Sequence, residues 1–135
     1  GQGSLVHPSY SGVTLSLLHG CAPHGLIFVY EIGRTAVTGV DHVTIPPLAH
    51  LLKMYDMLAN ANFRCQILGI AVNSRRVSAA EAAAERNRVR TEFGLPTCDV
   101  IRDGSDELID AILRFRDTAR WREWHASPDP VNHQP

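Results

Sequence analysis

Gly1, Gln2, Gly3 and Ser4 form a short glycine-bracketed turn that runs through His7-Pro8 into an apolar segment. Glycine accepts positive φ and lets a ligand approach the main chain closely. A turn of unpaired N–H groups leading toward a helix is a natural cradle for an anion. The turn therefore reads as one wall of a ligand site, against the alternative of a flexible terminal leader. His7 is a candidate general base, since an ordinary imidazole pKa of about 6.5 suits proton transfer near neutrality. The competing reading is a histidine at the start of a helix, bonded to a nearby carbonyl. His19, beside Gly20 at a helix end, reads as structural.

Two further polar clusters carry possible chemistry. Glu31, Arg34 and Thr35 leave the end of an apolar run together. A guanidinium forks onto carboxylates and phosphates with two parallel bonds, so Arg34 can hold a substrate carboxylate or a cofactor phosphate, or else pair with Glu31. Asn73 closes a second apolar run and is followed by Ser74-Arg75-Arg76. Its amide offers a donor and an acceptor for a base edge, or else it turns the chain into the next loop. Arg75 and Arg76 read as solvated.

The elements that must position these groups follow from periodicity. Val13 to His19 reads as a short helix ended by Gly20, with Pro23 forbidding continuation. Gly25 to Tyr30 is a continuous apolar run, the pattern of a strand buried on both faces. Val40 to Pro47 reads as a connector, and Pro46-Pro47 start a helix with Leu48, Leu51, Leu52, Tyr55 and Leu58 on one stripe. Cys65 to Val72 reads as a second buried strand. Ser78-Ala79-Ala80-Glu81 is a capping-box pattern; it opens an alanine-rich helix that runs to Phe93 and stops at Gly94. Thr97 to Ile101 reads as a third strand. Residues from about Ser105 to Ala119 form a last helix with Leu108, Ile109, Ile112 and Phe115 on one side. The tail from Trp121 to Pro135 is expected to be disordered past Trp124, with the two tryptophans forming a docking patch. Residues 1–119 are thus one α/β unit and 120–135 a tail.

Alternation of strand and helix, with crossovers of helical length, implies a doubly wound parallel sheet with helices on both faces, three layers in all. Ligands bind such sheets beyond the carboxyl ends of the strands. The loops at Glu31–Thr35 and Asn73–Arg76 belong there, and Gly1–Ser4 joins them if a strand precedes it.

Composition narrows the field. At 135 residues with 44% apolar and 20% charged residues, the chain has material for one folded core. A net charge of −1 offers no field for nucleic acid or anionic lipid. Cys21, Cys65 and Cys98 show no metal-like spacing, as expected of a reduced, cytoplasmic protein. No apolar run approaches a membrane span. The sole lysine, Lys53, sits mid-helix with no glycine beside it. A phosphate loop needs G-x-x-x-x-G-K-[ST], so the chain does not carry one of its own.

Six blocks, GQGSL-x-HP-x-Y, VTL-x-LLHG, E-x-GRT, IPPL, GIAVN and GLP, resemble the carboxyl-terminal domain of the D-glutamate N-acetyltransferase-like proteins, long catalogued as a domain of unknown function. The resemblance covers about Gly1 to Leu113. It implies a P-loop NTPase-like α/β domain whose upstream strands and phosphate loop lie outside this sequence. The chain, which opens without methionine, is accordingly expected to be a piece of a longer protein that needs its missing amino-terminal part, with homo-oligomerisation possible. The implied activity is acetyl transfer from acetyl-CoA to the amine of D-glutamate or a similar D-amino acid. On that reading His7 or Glu31 handles the proton and Arg34 the carboxylate. The Gly3–Ser4 turn holds the oxyanion of the thioester under attack, and Gly1, Gln2, Thr35 and Asn73 complete the substrate and cofactor contacts. No metal site is expected for this chemistry. The alternatives are an ATP- and Mg-dependent ligase or phosphotransferase of the same fold, or a non-catalytic packing or oligomerisation domain.

Overall fold

A computed structural model describes residues 4–118. Gly1, Gln2 and Gly3, and the tail with Trp121 and Trp124, lie outside the described residues. The order of elements is α1 (Ser11–Cys21), β1 (Gly25–Glu31), β2 (Ala36–Val37), β3 (Val40–Thr44), α2 (Leu48–Ala59), β4 (Gln66–Asn73), α3 (Ala79–Phe93), β5 (Thr97–Cys98), α4 (Val100–Asp103) and α5 (Asp106–Arg116). β1, β4 and β5 form one parallel sheet in the order β1-β4-β5. Helices cover both of its faces, so the expected α/β class and three-layer plan hold.

Two successive crossovers step across the sheet in one direction, and right-handedness puts both on one face. There Leu52 of α2 and Ala82 and Val89 of α3 bury Ile70 and Val72 of β4, with Phe28 and Tyr30 of β1 packed alongside. On the other face Leu108 of α5 packs against Ala71 and Cys98, with Ile27 beside them. Gly69 permits that contact. A Cβ there would stand 2.6 Å from Leu108 Cδ2, so the end of that leucine would have to shift, and 3.1 Å from the Pro96 carbonyl oxygen, a tight contact.

α3 follows its sequence closely. Ser78 accepts from the Glu81 N–H and the Glu81 side chain accepts from the Ser78 N–H, so the capping box is complete. Gly94 takes φ 63° at the C-cap, the left-handed geometry that glycine adopts without steric cost.

Five expectations need correction. Gly20 lies inside α1, which continues to Cys21 and ends with Ala22 in the left-handed region at φ 43°; a lone glycine lowers helix propensity without ending the helix. The stretch 40–47 is no plain connector: Val40–Thr44 pairs antiparallel with Ala36–Val37 around Gly39, at φ 80°. The third strand stops at Cys98, because the Asp99 side chain accepts from the Ile101 and Arg102 N–H groups and caps α4. In α5 the inward residues are Leu108 and Ala111, while Ile109 and Ile112 are exposed. β1, read as buried on both faces, is the outer strand among the described residues, with Val29 66% exposed.

Candidate functional site

A cleft of about 1010 Å³ runs along β1 and opens past its carboxyl end, at the upper end of the size range for small-molecule sites. Ser4, His7, Glu31, Arg34, Thr35 and Asn73 all line it. The three loops therefore share one space. The opening turn is tied down through α2: the Leu5 N–H donates to the Tyr55 hydroxyl at 3.3 Å. The Tyr55 ring meets Phe28 of β1 edge-on, with centroids 5.2 Å apart. Within the turn, the Ser4 carbonyl accepts from the His7 N–H at 3.0 Å and the Ser4 hydroxyl accepts from the Val6 N–H at 3.4 Å.

The rim at the sheet's carboxyl edge is built on Glu31. Its side chain is 6% exposed and meets three guanidiniums: Arg75 Nε at 2.5 Å, Arg76 Nε at 2.8 Å and Arg34 Nη1 at 3.5 Å. Parallel register sets Glu31 opposite Asn73, so the residues just after each strand meet although they are far apart in the chain. Hydrogen bonds from Arg75, ahead of those from Arg76, hold the Glu31 carboxyl below the usual carboxylate range despite burial. Glu31 is thereby a weak proton acceptor and a strong anchor. Arg75 and Arg76, read from sequence as solvated, are instead ion-paired, yet their side chains remain 65% and 55% exposed. Three cations against one carboxylate leave a surplus of two positive charges around Glu31, with Arg34 and Arg75 lining the cleft.

The other candidates carry structural duties. Arg34 donates to the Ala36 carbonyl at 3.1 Å and to the Thr38 hydroxyl, bracing the β2–β3 hairpin. The Thr35 carbonyl accepts from the Ile45 N–H at 2.8 Å. Asn73 Oδ1 accepts from the Arg75 N–H at 3.2 Å, the turn-forming use of an asparagine. His7 Nδ1 accepts from the Ser9 N–H at 3.1 Å, so the neutral ring carries its proton on Nε2. His19 Nε2 lies 2.9 Å from the Leu58 carbonyl, a tie between α1 and α2.

One cluster escaped the sequence reading. The Tyr30 hydroxyl donates to Glu85 Oε1 at 2.9 Å, and Arg88 holds both oxygens of Glu85 at 2.8 Å. All three residues line the cleft. Burial, then the bond to Glu85, pushes the Tyr30 phenol well above its ordinary value, so it is a permanent donor. The Glu85–Arg88 spacing of three was the available signal; Tyr30, 55 residues from Glu85, offered none.

Among the described residues no group of His, Cys, Asp and Glu could hold a metal ion, and Lys53 lies within α2, remote in kind from a glycine-flanked phosphate lysine. Among the described residues no helix is long and apolar enough to cross a membrane.

Known proteins bring the family into view. A family model described as a domain of unknown function, DUF1611_C, P-loop domain, matches residues 1–109. A protein of Tritonibacter scottomollicae named D-glutamate N-acetyltransferase is 42% identical over 113 residues, covering 83% of this chain and 34% of the relative. A protein of the same name from a Pseudoalteromonas species is 36% identical over 110 residues, covering 81% and 33%. The crystal structure of a DUF1611 family protein from Anabaena variabilis superposes with a TM-score of 0.77 at 37% identity, over 84% of this chain and 34% of that one. The chain thus spans about a third of the length of the relatives it matches. A match across four-fifths of the residues, with the same fold, leaves one conclusion: this chain belongs to the DUF1611 family, its residues 1–109 matching the family's P-loop domain.

Proposed function

We propose that the full-length protein carrying this chain transfers the acetyl group of acetyl-CoA to the amine of D-glutamate, and that the cleft along β1 is part of the site. The observation that carries the reading is the rim. A dicarboxylate amino acid needs two cations, and Arg75 and Arg76 supply two exposed guanidiniums held in place by one buried carboxylate. The names of the relatives, D-glutamate N-acetyltransferase, favour the same substrate class.

In the proposed reaction the substrate amine attacks the thioester carbonyl carbon. The N–C bond forms, the C–S bond breaks, and the amine proton passes to His7 and on to the departing thiolate. His7 is the histidine that lines the cleft among the described residues, and it takes the proton on Nδ1 by giving up the Ser9 bond. The backbone N–H of Ser4, which lines the cleft, holds the developing oxyanion. Glu31 serves as the positioning residue for the arginines rather than as the base, because its carboxyl is held in the charged form. Arg34 braces the hairpin beside them.

The test is initial-rate acetyl transfer by the full-length protein, without ATP, with D-glutamate varied. Arg75→Ala with Arg76→Ala raises KM for the amino acid by roughly tenfold or more, with kcat largely kept. An unchanged KM removes the rim from substrate binding, and product formation that requires ATP removes the thioester mechanism.

A further inference from the structure

Glu85 stands where the cleft wall passes from β1 to α3. Its Oε1 accepts from the Tyr30 hydroxyl at 2.9 Å and from Arg88 Nη2 at 2.8 Å, and its Oε2 accepts from Arg88 Nε at 2.8 Å. A carboxylate offers about four acceptor sites. Three bonds fill three of them, so Oε2 keeps one for a further donor. The Glu85 side chain is 24% exposed, and the residue lines the cleft with Tyr30 and Arg88.

The charge of this wall decides what kind of donor it takes. Arg88 also donates through Nη1 to Glu92. Two carboxylates and one guanidinium, beside a neutral phenol, leave one negative charge in surplus. The Nε–Nη2 fork of Arg88 is already filled by Glu85, so it does not present that side to an anion. The bond from Arg88 outweighs burial and, with the bond from Tyr30, keeps the Glu85 carboxyl below the usual carboxylate range. An exposed helix pair at this spacing adds little to stability. The tyrosine from β1 is what such a pair ordinarily lacks: it fixes the carboxylate in rotation within the cleft.

The opposite charge lies next door. Tyr30 directly precedes Glu31 in β1, and successive residues of a strand are about 3.3 Å apart. Arg34 and Arg75 of the rim line the same cleft as Glu85. A cationic rim beside an anionic wall matches a ligand that carries charges of both signs. A free amino acid is such a ligand, with carboxylates for the arginines and an ammonium for Glu85.

We infer that Glu85 holds the amine of the amino acid through Oε2, with Tyr30 and Arg88 as the positioning residues that aim it, an assignment that rests on the substrate class proposed above. With two carboxylates on the rim, the amine is a third point of attachment. Three fixed points distinguish one enantiomer of a chiral ligand from the other. Glu85 binds and orients the amine, and the proton leaves through His7.

Calorimetric titration of the full-length protein with D-glutamate, L-glutamate and glutarate, the same dicarboxylate without the amine, tests the assignment. Glu85→Gln keeps the shape and an acceptor for Tyr30 but removes the charge. It should weaken D-glutamate binding by about tenfold or more, leave glutarate binding unchanged and narrow the preference for D- over L-glutamate. Tyr30→Phe, which keeps the carboxylate but frees it to turn, should weaken D-glutamate binding a few-fold and again spare glutarate. Equal losses for D-glutamate and glutarate in Glu85→Gln, or no loss for either, overturn the assignment while leaving the rim in place. Wild-type protein that binds glutarate as tightly as D-glutamate overturns it as well. Unchanged D-glutamate affinity in Tyr30→Phe removes Tyr30 from the positioning role. Wild-type protein that binds neither dicarboxylate overturns the rim as the carboxylate site, and the role of Glu85 falls with it.

Discussion

β4 and β1 are neighbours in one sheet, paired residue by residue, and differ in most other respects. β4 is interior: Leu68 to Val72 are almost entirely covered, Ile70 completely, and helices lie on both of its faces. β1 is equally apolar in sequence yet is the outer of the described strands, with Val29 open to solvent and a large cleft beside it. Apolar composition shows that a strand can be buried; it does not say by what. The loops after the strands differ in the same sense. After β4, Ser74 is buried and bonds Asp99 through both its N–H and its hydroxyl, joining β4 to β5. After β1, Glu31 gathers arginines whose far sides remain exposed.

The sharpest way to break this contrast is a pair of truncations in the 135-residue chain. Ile70→Ala should cost about 2–5 kcal/mol in urea unfolding, from lost burial and the cavity left behind. Val29→Ala should cost under ~1 kcal/mol. Equal costs would mean that β1 is as covered as β4.

Next comes Asp99→Ala, which strands the Ser74 hydroxyl and the N–H groups of Ser74, Ile101 and Arg102. About 3 kcal/mol is expected. The same residue predicts a pH dependence. Burial pushes the Asp99 carboxyl up, but the bond from the Ser74 hydroxyl, then those from the Arg102, Ile101 and Ser74 N–H groups, outweigh it and hold the pKa low. Glu31 is also held low, by Arg75 and Arg76. A depressed folded-state pKa gives stability that is present above the unfolded value and lost as pH falls through the folded one. Stability should therefore hold through neutrality and decline below about pH 4, near ordinary carboxylate pKa values, and Asp99→Asn should flatten that decline. An unaltered acid limb would show that Asp99 contributes little to it.

The smallest effect concerns helix α3. Ser78→Ala removes one half of the capping box and should cost about 1 kcal/mol. Ser78→Asp, which keeps an acceptor, should recover most of it.

Much of the fold was legible. The stripe of α2, the buried run of β4 and the start and stop of α3 are local signals, carried by periodicity and by capping residues within a few positions of one another. The hairpin was missed because Val40-Asp41-His42-Val43-Thr44 alternates weakly and its partner is only two residues long. The short β5 was overrun because Asp99 serves both the neighbouring strand loop and the next helix. For the site, the placement of Arg34, Thr35 and Asn73 followed from their positions at the carboxyl ends of parallel strands, whereas Ser4 is held at the cleft through the Leu5–Tyr55 bond. The partnerships inside the cleft did not follow from the sequence.

The α/β class, the order of the longer strands and helices and the family were settled by the sequence itself, because each rests on residues close together in the chain. Only the tertiary structure decided that β1 is the outer of the described strands and that Arg75 and Arg76 reach Glu31 across 44 and 45 residues. It alone joined Tyr30 to the Glu85–Arg88 pair. The physical reason is register. Which side chains meet across a sheet depends on how its strands are ordered and aligned, and that is a property of the assembled layers rather than of any one segment.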